Sequence, residues 1–274
     1  MKVTAPAKIN LSLQIKGKRE DGFHELETVM VPLPGLADTL TFTPAEAFSF
    51  CCDQEGVPTD ETNLVVKAVR GFEQVSGLEV RQHILLEKVV PHGAGLGGGS
   101  SDAASTLLAL NALYDSPLSF EQLWEIAAGL GSDVPFFLYE CACICRGRGE
   151  LITPLDEVPT FQVCLLKPEF GVSTPDAFKR WVGSRELEGV SYAEQRGPYG
   201  VMSNDLERPV FEKHVFLAEC KRWLLAQPEV EVAQMSGSGS TMFAVLKSSG
   251  SGHELAQRAQ RELDPKLFTW WGAC

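Results

Sequence analysis

The sequence lacks an excess of positive charge. Its 274 residues include 24 Lys and Arg against 36 Asp and Glu, for a formal net charge of −12. A nucleic-acid-binding surface needs basic side chains that neutralise phosphates, so we expect no nucleic-acid partner. Any phosphate ligand must be held locally, by backbone amides and a few cations, and Mg²⁺ is a natural companion of such a ligand.

Long apolar runs are also lacking. Nowhere do about 18 apolar residues follow one another, which is the length that a membrane-spanning helix requires. The first residues, MKVTAPAKINLSLQIKG, carry a polar residue every few positions and no apolar h-region. We therefore expect no membrane partner and a cytoplasmic location.

Cysteine is present, but not in the spacings that bind metals. The eight cysteines form no CxxC pair and no zinc spacing with histidine. Cys141, Cys143 and Cys145 alternate along a predicted strand, where side chains on one face lie about 7 Å apart, too far for an unstrained disulfide. The sequence predicts reduced thiols and no zinc site of cysteine and histidine, and it assigns no residue as a metal ligand.

The hydrophobic pattern predicts a mixture of strands and helices. Apolar residues at every second position from Ile9 to Ile15 are typical of a strand. Further strands are expected over 28–33, 38–43, 83–90, through Cys145, and over 160–166, 230–235 and 241–246. Helices are expected over 63–75, 100–114, 119–130, 174–181, 211–227 and 251–263, with a turn at 132–135 and an irregular stretch over 183–198. Because strands and helices do not alternate regularly, the fold class is α+β.

A glycine-rich segment, Pro91–Asp102, carries the clearest chemical signal. Five glycines lie within seven positions directly before a predicted helix: Gly93, Gly95, Gly97, Gly98 and Gly99. Glycine lets backbone N–H groups turn toward a ligand, and a helix start binds phosphate. Ser100 and Ser101 add hydroxyl groups for phosphate or metal. So many glycines cost backbone entropy on folding, which favours a phosphate loop over a plain turn.

Three common phosphate loops do not fit this segment. A Rossmann loop needs an acidic residue at the end of the next strand, whereas Asp115 lies in a predicted turn between two helices. A Walker loop ends in GK[ST], and no lysine follows these glycines. The HRD and DFG segments of protein kinases are absent from the sequence.

The segment beginning at Pro91 instead resembles the phosphate loop of the GHMP kinases, a family that includes galactokinase, homoserine kinase and mevalonate kinase. Two other segments resemble that family's first and third motifs, Ala5–Leu11 and Met235–Thr241, so three motifs occur in the family's order. The resemblance implies an ATP-dependent kinase of a small alcohol. It also implies two domains, an N-terminal ribosomal-protein-S5-like domain over 1–153 and a C-terminal ferredoxin-like domain over 154–274, with the active site in the cleft between them.

Within the family, further segments resemble the branch that phosphorylates the 2-hydroxyl of 4-diphosphocytidyl-2-C-methyl-D-erythritol in the non-mevalonate isoprenoid (terpenoid) pathway. These segments are Pro6–Leu11, Asp21–Leu26, Leu36–Leu40, Asn63–Leu64, Gly131–Phe137, Gly147–Glu150 and Ser203–Glu207. Phe23 stands where that branch often has tyrosine. The alternatives are another GHMP kinase, disfavoured by Gly22–Leu26, and an inactive nucleotide-binding module, disfavoured by Lys8 and Asp133. A monomer or homodimer is expected.

The resemblance assigns catalytic roles to Lys8 and Asp133. Asp133 would accept the proton of the attacking hydroxyl, although from the sequence alone it is also a turn aspartate that binds its own backbone. Lys8 would hold Asp133 ionised and offset charge on the transferred phosphoryl group, although a lysine at a strand end often reaches solvent. Asn10 has the same strand parity as Lys8, which places both on one face.

The remaining predicted site residues bind ATP or the acceptor. The ATP set is Asn63, Lys88, Gly93, Gly95, Leu96, Gly97, Gly98, Gly99, Ser100 and Ser101. The acceptor set is Asn10, Phe23, His24, Phe178, Gly237, Ser238, Gly239 and Ser240. Phe23 and His24 would read cytosine by stacking and hydrogen bonds, with Phe178 either on the opposite face of the base or in the core. The 237–240 turn either cradles a diphosphate or is a plain hairpin turn.

Overall fold

The structure is a computed structural model that describes residues 1–248 and 250–274. In this part of the chain the strands are β1 (Lys2–Lys18), β2 (His24–Pro44), β3 (Ser49–Cys52), β4 (Gln82–Glu87), β5 (Cys143–Gly147), β6 (Leu151–Pro154), β7 (Gln162–Lys167), β8 (Gln195–Gly197), β9 (Gly200–Met202), β10 (Val230–Met235), β11 (Met242–Leu246) and β12 (Phe268–Ala273). The helices are α1 (Leu64–Ser76), α2 (Gly98–Leu113), α3 (Phe120–Leu130), α4 (Val134–Phe137), α5 (Thr174–Arg180), α6 (Glu207–Lys213), α7 (Val215–Leu225) and α8 (Gly252–Glu262). The α+β class is confirmed.

The chain divides into two compact units. The first unit consists of Met1–Ala7, Leu36–Pro91 and Gly97–Cys141, and the second unit consists of Lys8–Gly35, His92–Leu96 and Ala142–Cys274. β1, β2 and the glycine loop therefore contribute residues to both units. The domain division expected at residue 153 stays a prediction.

The first unit combines a small sheet with four helices. Thr39–Pro44 of β2 pair antiparallel with Gln82–Glu87 of β4, and β4 pairs in parallel with β3. α1 packs against α2 and α3, and α2 packs against α4. Large aromatic side chains of this unit are buried, including Phe42, Phe72 and Phe136. Burial of each such side chain contributes about 1.5–3 kcal/mol.

The second unit is built on a four-stranded antiparallel sheet in the order β10-β11-β7-β12. α7 packs on β10 and β11, and α8 packs on β7 and β12. Between sheet and helices lies an apolar core that includes Leu166, Phe211, Leu224, Ala244 and Leu255. Since every residue of Met242–Leu246 is buried, β11 is a central strand that is covered on both faces, as its run of apolar residues indicates.

Two expected strands, over 28–33 and 38–43, form the single strand β2. Pro32 and Pro34 indicated a break, because proline donates no hydrogen bond to a sheet ladder. In the structure, Leu26–Met30 pair with β5 and Thr39–Pro44 pair with β4. Neither of these two ladders includes the prolines, and β2 also pairs with β1.

One expected helix is wrong, and one expected turn is shorter than predicted. The single helix predicted over 211–227 is two helices, because His214 leaves the helical region at φ −120° and ψ 71°. Its ring stacks on Phe170 with centroids 5.2 Å apart, a contact between residues distant in the chain that local propensity does not reveal. The turn predicted at 132–135 covers only Ser132 and Asp133, where Val134 N–H donates to the Gly131 carbonyl at 3.2 Å. α4 begins at Val134, with Pro135 near the helix start, where proline is well tolerated.

Several element boundaries also differ from the prediction. α2 starts two residues earlier than expected, at Gly98, so Asp102 lies beyond its first turn. The irregular stretch over 183–198 ends in β8, which pairs with β9, and the C-terminal strand β12 was not predicted. None of the described helices has the length and apolar character needed to cross a membrane.

We predict that Ser119→Ala lowers the free energy of unfolding by about 1 kcal/mol, as expected for a lost helix N-cap. Ser119 and Gln122 form a capping box at the start of α3. The control is Ser173→Ala, because Ser173 precedes α5 without a side-chain cap hydrogen bond. Chemical denaturation measures both variants, and equal losses would contradict the capping role.

Candidate functional site

Lys8 is buried in the second unit, with 3% of its surface exposed. Its Nζ donates to Asn10 Oδ1 at 2.7 Å and to the Gly95 carbonyl at 3.0 Å. Its backbone N–H donates to the Leu96 carbonyl at 2.9 Å. The lysine therefore does not reach solvent, and it ties β1 to the glycine loop. The predicted pairing of Lys8 and Asn10 on one face is confirmed.

Thr28 fixes the orientation of the Asn10 amide. Its hydroxyl donates to the Ser12 carbonyl at 2.6 Å, so the same oxygen accepts from Asn10 Nδ2 at 2.8 Å. With its nitrogen committed to Thr28, Asn10 presents its oxygen to Lys8. The sequence analysis missed Thr28, whose only signal was its place on a neighbouring strand.

The start of the glycine loop packs against the turn that follows β10. Thr241 N–H donates to the Ala94 carbonyl at 3.1 Å, and Ser236 Oγ donates to the Gly95 carbonyl at 3.0 Å. Gly95 has φ +76°, and a Cβ on it would lie 2.3 Å from the Ser236 carbonyl oxygen. Only glycine allows this approach.

The 236–241 turn is itself held closely. Gly237 and Gly239 have φ +55° and +87°. Ser238 Oγ lies 2.6 Å from Thr174 Oγ1, and Ser240 Oγ donates to the Phe170 carbonyl at 2.6 Å. Since both serine hydroxyls already have protein partners, any diphosphate here would contact mainly backbone N–H groups. That role stays a prediction.

In the first unit, the start of α2 has the features of a phosphate site. Gly97, with φ +72°, precedes the helix and supplies no side-chain cap, so the first N–H groups are left to a ligand. Ser101 Oγ and Asp102 Oδ1 are buried and have no hydrogen-bond partner among the described residues. Unpaired buried polar atoms are costly, and the phosphates and magnesium of a bound nucleotide fit this chemistry.

Lys88 lies in a buried cluster of charges in the first unit. Its ammonium binds Asp38 and, at 2.8 Å, Asp102. Asp38 Oδ1 also accepts from the N–H groups of Val89 and Val90, at 2.5 and 2.7 Å. Burial opposes the charge on Lys88, but Asp102 and Asp38 more than offset it and raise the pKa of its ammonium. The cluster anchors the end of β4 to α2, and adenosine binding by Lys88 stays a prediction.

Asp133 and Asn63 also lie in the first unit. Asp133 directly precedes α4 and is partly buried, and its side chain does not cap that helix. The catalytic role of Asp133 stays a prediction. Asn63 caps α1 by accepting from Val65 N–H at 2.8 Å and donates to the Pro58 carbonyl at 2.6 Å. Its predicted contact with adenosine stays untested.

The predicted base-reading residues lie in the second unit. Phe23 is 52% exposed, and the Arg148 guanidinium lies 5.0 Å from its ring centroid. His24 stacks on Phe178 with centroids 5.4 Å apart and meets Trp181 edge-on. The structure thus pairs Phe178 with His24. A base inserted between those two rings would require them to separate.

The part of the chain that the structure describes bears on how a magnesium ion would be held. Among residues 1–248 and 250–274, no group of three or more His, Cys, Asp and Glu side chains is placed to hold a metal ion. Mg²⁺ commonly binds through substrate phosphates and one or two protein oxygens, so the ion would arrive with the nucleotide.

Comparison with known proteins places these features in a family. The family of GHMP kinase N-terminal domains matches residues 63–141. A relative from Methylacidiphilum infernorum, named 4-diphosphocytidyl-2-C-methyl-D-erythritol kinase, is 42% identical over 269 residues, which cover 95% of this chain and 92% of the relative. A relative of the same name from Protochlamydia amoebophila is 38% identical over 249 residues, covering 89% of this chain and 84% of that protein.

Solved structures agree with this placement. A crystal structure of 4-(cytidine 5'-diphospho)-2C-methyl-D-erythritol kinase is 36% identical, with a TM-score of 0.82, and covers 100% of this chain and 98% of that chain. A homoserine kinase from Cytophaga hutchinsonii is 16% identical, with a TM-score of 0.68, covering 100% of this chain and 93% of that one. The second likeness establishes the fold alone.

We predict that ionisation of Asp102 makes stability depend on pH. Burial raises the pKa of Asp102 to about 7, although Lys88 opposes the shift. The unfolded chain has the ordinary value of about 3.9, so between these values the folded state binds the proton more tightly. The stability contributed by Asp102 is therefore fully present below the unfolded value and is lost as pH rises to about 7.

Urea unfolding of the wild type and of Asp102→Asn between about pH 5 and about pH 8 measures this effect. The asparagine variant does not titrate at this position. The free energy of unfolding of the wild type, relative to the variant, should fall as the pH rises. Parallel curves would show that Asp102 does not titrate in this range.

Proposed function

The chain belongs to the GHMP kinase family, and we propose that it transfers the γ-phosphoryl group of ATP to the 2-hydroxyl of 4-diphosphocytidyl-2-C-methyl-D-erythritol. Support for the acceptor comes from full-length relatives of that name at 34–42% identity. The structural observation that carries the kinase chemistry is Lys8, a buried ammonium held by Asn10 and by the carbonyl of Gly95 in the glycine loop.

Nucleotide binding is assigned to the glycine loop and the start of α2. Backbone N–H groups of Gly97–Ser100 would bind phosphate oxygens, with the buried Ser101 hydroxyl as a further donor. Bound Mg²⁺ would neutralise phosphate charge. Asn63 and Lys88 remain proposed neighbours of the adenosine, though both side chains also have protein partners.

Asp133 and Lys8 carry the proposed chemistry. Asp133 accepts the proton of the acceptor hydroxyl as its oxygen attacks phosphorus. Lys8 offsets the negative charge that spreads over the transferred phosphoryl group. Because Asn10 and Gly95 fix its ammonium in advance, little reorganisation is needed at the moment of transfer.

The cytidine part of the acceptor is assigned to the segment Gly22–Leu26. Phe23 offers an exposed ring face, and His24 offers ring nitrogens for the base edge. Arg148, which covers the Phe23 ring, would either move aside or stack on the base. The turn Gly237–Ser240 is proposed to contact the diphosphate through its backbone N–H groups.

We predict that Asp133→Asn binds both substrates nearly normally but loses at least about 100-fold in kcat, the effect of a missing general base. Steady-state kinetics with ATP and 4-diphosphocytidyl-2-C-methyl-D-erythritol measures the loss. Asp156→Asn is the matched control, because Asp156 is exposed. Turnover near that of the wild type in Asp133→Asn would overturn the assignment.

We also predict that 2-C-methyl-D-erythritol 4-phosphate, which lacks the cytidylyl part, is phosphorylated at least about 1000-fold less efficiently. Binding energy from a remote group orients the reacting centre, so its loss lowers kcat as well as raising KM. Phe23→Ala should lower kcat/KM with the full acceptor by about 10-fold to 100-fold, from the loss of base stacking. Equal kcat/KM for the two acceptors would show that the cytidine is not read.

A further inference from the structure

A buried ion pair in the second unit has no part in the chemistry proposed above. Glu207, the first residue of α6, and Lys221 of α7 are each 2% exposed. The Lys221 ammonium binds Glu207 Oε2 at 2.5 Å and lies 5.8 Å from the centroid of the Tyr192 ring. The same two helices carry apolar core residues such as Val210, Phe211, Leu217 and Leu224.

A buried ion pair adds little to the free energy of unfolding. Removing two charges from water costs free energy that their attraction often only just repays, and apolar replacements are commonly as stable or more stable. The second oxygen of Glu207 suggests a more specific role. Glu207 Oε1 accepts from the backbone N–H of Met235 at 2.9 Å, where β10 ends and the 236–241 turn begins.

Asn204 binds carbonyl groups of the same region, whereas Glu207 binds an N–H group. Its Nδ2 donates to the carbonyl oxygens of Met235 and Gly237, both at 2.8 Å. Its Oδ1 accepts from Leu206 N–H at 2.9 Å, which fixes the amide orientation. The segment Ser203–Glu207 therefore binds the N–H and carbonyl groups of Met235, at the end of β10, and the carbonyl group of Gly237 in the turn.

The same segment also binds the strand that carries Lys8. Leu13 N–H donates to the Ser203 carbonyl at 2.8 Å, and Asp205 N–H donates to the Leu13 carbonyl at 2.9 Å. Asp205 Oδ2 accepts from Ile15 N–H at 2.7 Å. Ser203–Glu207 thus forms hydrogen bonds both to β1 and to the region where β10 meets the 236–241 turn.

The turn after β10 lies close to Lys8. A Cβ on Gly237 would lie 3.3 Å from Asn10 Oδ1 and 3.4 Å from Lys8 Nζ. Ser236 Oγ and Lys8 Nζ both donate to the Gly95 carbonyl. A shift of the turn would therefore displace the partners of Lys8.

We propose that Glu207 is a positioning residue: it holds the turn after β10 in the place beside Lys8 that phosphoryl transfer requires. The positive charge of Lys221 balances the negative charge of Glu207. The inference rests on the proposed kinase function of Lys8. Lys221 acts by occupying Glu207 Oε2, so that Oε1 remains directed at Met235. A misplacement of this kind, remote from the reaction, can cost up to about 100-fold in rate.

A single and a double variant test the hydrogen bond to Met235. In Glu207→Gln the side-chain oxygen should turn to the Lys221 ammonium, the stronger donor, which leaves an NH₂ group facing Met235 N–H. We expect kcat to fall about 10-fold. Adding Lys221→Met frees that oxygen for Met235, so the double variant E207Q/K221M should recover to within about threefold of the wild type.

A second double variant separates positioning from stability. E207L/K221M replaces the pair by apolar side chains, so its Tm should equal or exceed that of the wild type, whereas kcat should fall about 10-fold or more. Wild-type kcat in both E207Q and E207L/K221M would overturn the proposal and leave the pair a structural element only. If E207L/K221M does not fold, the comparison of E207Q with E207Q/K221M still tests the proposal.

Amide hydrogen exchange of residues 236–241, measured by mass spectrometry, gives a readout that does not require kinase activity. Exchange there should be faster in E207Q than in the wild type and should return toward wild type in E207Q/K221M, while the core strand β11 stays protected. If the wild type does not phosphorylate the acceptor, the proposed function fails, and the exchange data still test the positioning. Unchanged exchange in E207Q would contradict it.

Discussion

Burial of the Lys8 ammonium is the constraint on which the site in the second unit depends. A charge removed from water must be given polar partners, or the fold loses several kcal/mol. Asn10 and the Gly95 carbonyl supply oxygens, and each of these must itself be oriented. Thr28 orients Asn10, and the turn after β10 holds Gly95. One buried nitrogen thus links the geometry of a strand, a loop and a turn.

Glycine is required in this arrangement because backbones approach one another closely. At Gly95 a Cβ would fall 2.3 Å from the Ser236 carbonyl oxygen, so even alanine would separate loop from turn. At Gly237 the left-handed backbone brings a carbonyl to Asn204 and leaves space for Lys8 and Asn10. These glycines serve packing between protein segments as well as any ligand, which the phosphate-loop interpretation alone does not explain.

Much of the fold could be predicted from the sequence, because its signals are local. Alternating apolar residues located β1, the Ser119 cap located α3, and the parity of Lys8 and Asn10 placed them together. The predictions that were wrong concern features that depend on residues distant in the chain. His214 interrupts a helical pattern and stacks on Phe170. Pro32 and Pro34 lie within β2 but outside its ladders with β4 and β5. The roles of Thr28 and Glu207 are likewise tertiary, although Glu207 lies in a segment that the family resemblance had marked.

The two buried carboxylate–lysine groups show how the same chemistry serves different ends. In the first unit, Lys88 joins two aspartates, and the burial of Asp102 raises its pKa to about 7, so this group changes charge near neutral pH. In the second unit, Glu207 has one lysine and one backbone N–H, which together occupy both carboxylate oxygens. A carboxylate satisfied in this way has a single orientation. Because an unpaired oxygen remains on Asp102 and none on Glu207, the first group is suited to respond to a ligand, and the second is suited to hold a backbone still.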